Sequence, residues 1–160
     1  MSTIEKFEDL LCWQRARELT REIYKAFKSL NDFGFKDQIQ RAAVSVLSNV
    51  AEGFESGTRE KFVNYLYIAK ASAGEVRAQL YVALDAGYLN IEMFKYLKSL
   101  AEECSRLIQS FVQKVKGGSR QGLQFKHVKK PDWFLEHLEE HGLIRLEDGR
   151  IISKDKPPAS

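Results

Sequence analysis

The sequence predicts an all-α protein: an antiparallel up-down four-helix bundle over residues 1–118, followed by a short C-terminal helix and β-hairpin appendage over 119–160. Three observations carry that prediction. Four long stretches between residues 9 and 118 place apolar side chains at three- and four-residue spacing. The breaks between them are only a few residues long, and connections that short force neighbouring helices antiparallel. No alternating β pattern interrupts them before the Gly117-Gly118 pair. A chain of 160 residues has room for one domain of roughly 110 to 150 residues and a short addition.

The first helix is expected from Asp9 to Leu30, where Leu11, Ala16, Leu19, Ile23, Tyr24, Phe27 and Leu30 form an apolar face. Arg15, Arg17, Glu18, Arg21, Glu22, Lys25 and Lys28 fill the other side. Asn31, Asp32 and Gly34 make the break. A second helix then runs from about Lys36 to Gly53, with Asp37 favourable near its positive end. Thr58 is the N-cap of a third helix that reaches about Ala86 through Phe62, Leu66, Ala69, Ala73, Val76, Leu80 and Ala83, and Gly87 stops it. Asn90 caps a fourth, carried by Phe94, Leu97, Leu100, Ala101, Cys104, Leu107, Ile108, Phe111 and Val115. Beyond the two glycines lies a basic linker, SRQGLQFKHVKK, then Pro131 opening a short helix with Trp133, Phe134, Leu135 and Leu138 on one face. Asp148-Gly149 between two apolar runs reads as the turn of a hairpin.

The second helix is apolar nearly all round. Its polar residues Gln38, Arg41, Ser45, Ser48 and Glu52 form one stripe with Asn49 beside it. On the third helix Ser72, Glu75 and Gln79 also share a face. The expectation is that Arg41, Ser45, Asn49, Glu52 and Glu75 meet in a structural polar network that sets helix register rather than in a ligand site. A buried Arg41 would need Glu75 or Glu52 as its partner.

Composition narrows the chemistry. The net charge of +3 is spread along the chain, with 17 basic against 15 acidic residues in 1–118 and 8 against 7 in 119–160. Cys12 and Cys104 read as reduced packing residues, and the absence of a signal-like or membrane-length apolar run makes a cytoplasmic location the expectation. All three histidines, His127, His137 and His141, fall in the tail without an HExxH pattern or a completing cysteine. No metal and no cofactor is expected. The bundle also lacks a histidine, a Gly-rich phosphate loop and a nucleophile with a base in reach, so no enzyme is expected. Tyr65, Tyr67, Tyr81, Tyr88 and Tyr96 read as mostly core or interface aromatics rather than base-stacking platforms.

With the helices placed, Phe7-x-x-Leu10 and Trp13-Gln14-x-Ala16, the run QIQRAAVSVLSNVAEGF at 38–54, FVNYLYIAKASAGE at 62–75 and AGYL at 86–89 resemble the four-helix-bundle proteins encoded in intervening sequences of bacterial 23S rRNA genes. That family includes the accessory proteins of diversity-generating retroelements. The resemblance covers about residues 7–116 and places the family motif on Arg41, Ser45, Asn49, Glu52, Gly53 and Glu75. It implies a ring-like homopentamer that binds nucleic acid, and for the retroelement branch a reverse transcriptase partner. Two features depart from the family: Glu55 and Ser56 follow Phe54, leaving Arg59 as the next arginine, and residues 119–160 extend past the usual end.

The function expected is a non-enzymatic homo-oligomer that contacts RNA or DNA phosphates without base specificity. Its expected contacts are Arg15, Arg17, Arg21, Lys25 and Lys28 of the first helix with Arg120, Lys126, Lys129 and Lys130 of the linker. The competing expectation is a protein-interaction scaffold that presents the tail to a partner such as a polymerase, with Trp133 and Phe134 as anchors.

Overall fold

A computed structural model describes residues 4–118, 142–145 and 151–153. The chain divides into two compact units, Met1–Phe125 and Lys126–Ser160. In the first, a 3-10 turn at Phe7–Asp9 leads into α1 (Leu11–Ala26), α2 (Phe33–Glu55), α3 (Arg59–Asp85) and α4 (Ile91–Gly117). Helices α1 and α3 each pack on both α2 and α4, whereas the backbones of the α1–α3 and α2–α4 pairs stay more than 8 Å apart, Cα to Cα. The four therefore stand at the corners of a square, with α3 and α4, 27 residues each, spanning about 40 Å.

The helix ends have local causes. Thr58 and Asn90 cap α3 and α4 as expected, their side chains accepting from the Lys61 and Met93 N–H groups at 3.3 and 2.8 Å. The start of α2 differs from expectation. Asp32 is its cap, accepting from the Phe35 N–H at 3.0 Å, so the helix opens at Phe33 and takes Gly34 into its first turn. Helix α1 is shorter at both ends than the apolar pattern suggests, because Phe27 and Leu30 go on packing against the core after the helical ladder has ended. Gly87, at φ +75°, closes α3. Its N–H donates to the Leu84 carbonyl and that of Tyr88 to the Ala83 carbonyl, a Schellman stop that needs a left-handed residue at this point.

Buried apolar side chains of all four helices form one core, including Leu19 and Ile23 of α1, Ile39 and Val50 of α2, Phe62 and Leu66 of α3, and Leu97 and Ile108 of α4. Cys12 and Cys104 belong to it as free thiols, and burial pushes their pKa values up to about 11 and about 12. Helices α2 and α3 approach closely at Gly53. A Cβ on Gly53 would stand 2.8 Å from both the Phe62 ring and the Tyr65 Cβ. At the other end of the bundle the Tyr88 hydroxyl donates to Asp32 Oδ2 at 2.7 Å, tying the α1–α2 turn to the α3–α4 turn.

In the second unit, β1 (Leu143–Arg145) pairs antiparallel with β2 (Ile151–Ser153), Ile144 opposite Ile152. The expected tail helix, the Asp148-Gly149 turn, the three histidines and the basic linker lie outside the described residues. Among the described residues no helix is long and apolar enough to cross a membrane.

Candidate nucleic-acid interface

The cations of α1 have acquired partners. Arg15 is bound by Glu18 and, from α4, by Glu103, its Nε lying 3.0 Å from the latter carboxylate. The two carboxylates push its pKa further up. Arg21 and Lys25 share Glu22 at 3.3 and 3.6 Å. Arg17 lies over the Trp13 ring, 5.9 Å from its centroid, and Lys28 is exposed. Three of the five expected phosphate contacts thus pair with the three carboxylates Glu18, Glu22 and Glu103. A phosphate approaching this face would have to displace Glu18, Glu22 or Glu103. The linker residues Arg120, Lys126, Lys129 and Lys130 lie outside the described residues.

A different flank gathers cations with fewer acids. Along the side of α3 that meets α4, Tyr67, Lys70, Gly74, Arg77 and Tyr81 recur at spacings of three and four. Because the two helices are antiparallel, they run alongside Lys116, Gln109, Glu102 and Lys98. Lys116 Nζ donates to the Tyr67 hydroxyl at 2.7 Å and stands 5.1 Å from that ring's centroid. Lys70 Nζ donates to Gln109 Oε1 at 2.7 Å. Arg77, Lys98 and Arg106 surround the Glu102 carboxylate, which Lys98 binds at 2.9 Å. That contact holds Glu102 below the usual carboxylate range and Lys98 above its own. Tyr81 packs edge-on against Phe94 with ring centroids 5.0 Å apart. Lys70, Arg77, Lys98, Arg106 and Lys116 therefore share this flank with Glu102, and a tyrosine 40–49% exposed stands at either end. Of the tyrosines expected to be mostly core or interface aromatics, Tyr67, Tyr81 and Tyr96 are exposed in the subunit and so are not core aromatics, and Tyr24, expected on the apolar face of the first helix, is exposed as well.

Only part of the expected polar network forms. Asn49 Nδ2 donates to the Ser45 carbonyl and hydroxyl at 2.8 and 2.9 Å, the Ser45 and Ser72 hydroxyls are 2.8 Å apart, and Ser72 donates to the Ile68 carbonyl at 3.0 Å. With the Ser72 proton so engaged, Ser45 must donate to Ser72, since a hydroxyl carries one proton. This relay bridges α2 and α3. Arg41, Glu52 and Glu75 stay outside it. Arg41 is 80% exposed and pairs with Asp37 one turn back, at 3.0 Å. Glu75 accepts from Gln79 Nε2 at 3.3 Å. Glu52 lines an open groove with Glu55, Lys61 and Asn64. The reason is rotational. At 3.6 residues per turn, Ser45 and Asn49 stand about 40° and 80° round the axis from Arg41, whereas Glu52 stays within about 20° of it. The first two turn towards α3 and the others towards solvent, where a guanidinium avoids the cost of desolvation.

The α3–α4 flank was written in the sequence as the spacing of Tyr67, Lys70, Arg77 and Tyr81. It passed unread because apolar residues lie all round α3, so helical periodicity marks no single wet face on it.

A solved structure with the same fold is the crystal structure of a protein of unknown function from the S23 ribosomal protein family of Bacteroides thetaiotaomicron. It shares 22% identity with this chain at a TM-score of 0.61, over 64% of this chain and 96% of that one. No curated protein matches the sequence. The family model described as 23S rRNA-intervening sequence protein matches residues 8–110, and with the four-helix square and its α2–α3 seam in view, the chain belongs to that family.

Proposed function

We propose that the protein is a non-enzymatic, homo-oligomeric helical bundle that binds nucleic acid through phosphate contacts, without base-specific readout. The observation that carries this reading is the α3–α4 flank, where Lys70, Arg77, Lys98, Arg106 and Lys116 stand with the carboxylate Glu102 among them. Of these, Lys70 and Lys116 are held by neutral amide and hydroxyl partners and can exchange them for phosphate oxygens without separating an ion pair. The release of condensed counterions then drives binding.

Self-association is supported by the outer face of α3. Asn64, Ile68, Ala71, Glu75, Ala78 and Val82 follow one another at alternating spacings of four and three, with Ile68 and Val82 about half exposed and Val44 of α2 also exposed. An apolar ridge of this spacing on the outside of a bundle suits packing by another helix. A ring of copies, five by the family resemblance, would repeat the cationic flank and make a modest patch into a long one.

The test is titration of nuclease-treated protein with RNA and DNA across a salt series, with mass by light scattering recorded alongside. Expected are a mass several times 18.4 kDa, a fall in log affinity with log salt of slope about −3 to −5 for each flank engaged, and loss of the higher mass in Ile68→Lys/Val82→Lys. An intact oligomer that binds neither polymer at low salt would end the nucleic-acid reading and leave a protein partner for residues 119–160 as the alternative.

A further inference from the structure

We infer that the α3–α4 flank takes single-stranded rather than duplex nucleic acid, with bases stacked on Tyr67 and Tyr81. This rests on the nucleic-acid reading above and adds the form of the polymer. The two tyrosines are fourteen residues apart on one flank of α3, about 21 Å at 1.5 Å per residue, close to the length of six nucleotides stacked at 3.4 Å. Between them lie Lys70 and Arg77, with Lys98 and Arg106 of α4 beside Arg77. Cations between two aromatic platforms match the arrangement by which single strands are held, the backbone following the charges and the bases covering the rings.

Both rings are held in place by the bundle. The Lys116 ammonium bonds the Tyr67 hydroxyl at 2.7 Å, 5.1 Å from the ring centroid, and Tyr81 packs edge-on against Phe94. Each still leaves 40–49% of its surface open. With the Lys116 ammonium held at the hydroxyl edge of Tyr67, the open surface of that ring is left for a base. A duplex cannot use these platforms, because its base faces are covered by neighbouring pairs everywhere except at its ends. Stacking also tolerates any base, which agrees with contact that reads no sequence.

The experiment compares full-length protein binding to end-labelled single-stranded RNA, single-stranded DNA and blunt duplexes of the same length, at one salt concentration and then across a series. Wild type is set against Tyr67→Leu, Tyr81→Leu and Tyr81→Trp, with light scattering to confirm an unchanged assembly. Both single strands should bind at least tenfold more tightly than the duplex. Each Leu variant should lose about tenfold on single strands and little on duplex, with the salt slope unchanged because no charge is removed. Tyr81→Trp should restore binding. Duplex binding as tight as single-strand binding, or Leu variants that bind like wild type, would overturn this inference and leave phosphate binding standing. Absence of binding to every polymer at low salt would overturn both.

Discussion

Helices α1 and α3 both carry regularly spaced cations, and the bundle treats them in opposite ways. On α1 Cys12, Ala16, Leu19 and Ile23 are buried, and Arg15, Arg21 and Lys25 find Glu18 and Glu22 on the same helix and Glu103 on α4. That helix completes its interactions inside the subunit. On α3 the buried line of Phe62, Leu66, Ala69, Ala73, Val76 and Leu80 is only one of three distinct faces. An apolar ridge through Ile68 and Val82 looks outward, and Lys70 and Arg77 between two tyrosines line the side next to α4. The contrast teaches that the number of cations on a helix says little about binding until the carboxylates brought beside them are known.

The largest effect should come from breaking this contrast at its charged end. Lys70→Gln/Arg77→Gln/Arg106→Gln should weaken nucleic-acid binding by about a hundredfold or more at moderate salt and flatten the salt slope by about two to three. Arg17→Gln/Lys25→Gln/Lys28→Gln on α1 should change affinity by less than about fivefold in the same titration, and reversal of that order would return the interface to α1.

Packing around α3 provides the next test. Gly53→Ala places a Cβ 2.8 Å from Phe62 and Tyr65. Overpacking of about 1–3 kcal/mol exceeds the helix-propensity gain of up to about 1 kcal/mol, so urea unfolding should report a net loss of about 1–2 kcal/mol. Gly74→Ala has no neighbour within 4 Å of the new Cβ and should gain up to about 1 kcal/mol. Equal effects from the two would mean that α3 is not seated on α2 as described.

The smallest expected effect concerns the bond that links the α1–α2 and α3–α4 hairpins. The Tyr88 hydroxyl, and then the Phe35 N–H, hold Asp32 below its ordinary carboxylate pKa. A depressed folded pKa gives a contribution that is full above the unfolded value near 3.8 and is lost as pH falls through the folded one. Thermal midpoints should therefore fall with acid below about pH 4. Asp32→Asn, which keeps a side-chain acceptor for the cap but cannot titrate, should show a shallower acid limb.

Much of the bundle was legible because helix existence and helix ends are local matters. Thr58 and Asn90 cap the helices they were expected to cap, and Gly87 stops α3 at a positive φ that most residues avoid. In the sequence Asp32 reads with Asn31 and Gly34 only as a break, and its role as a cap is missed, because such a cluster looks like a loop until one carboxylate is seen to take the Phe35 N–H. The polar stripe of α2 was half read. Ser45 and Asn49 meet Ser72 across the seam, while Arg41 turns to Asp37, because a stripe drawn at three- and four-residue spacing drifts round the axis.

The sequence by itself determined four helices and their antiparallel order, the caps of α3 and α4, and the family. Periodicity, capping and loop length are properties of the chain read in one dimension, and they survive any later rotation of the helices. Only the tertiary structure decided which cations are neutralised and which stand open. Glu103 reaches Arg15 and Gln109 reaches Lys70 from α4, over sequence separations of 88 and 39 residues. Which side chains meet at such distances depends on the rotation of each helix about its axis and on which helix stands beside it, and packing sets both.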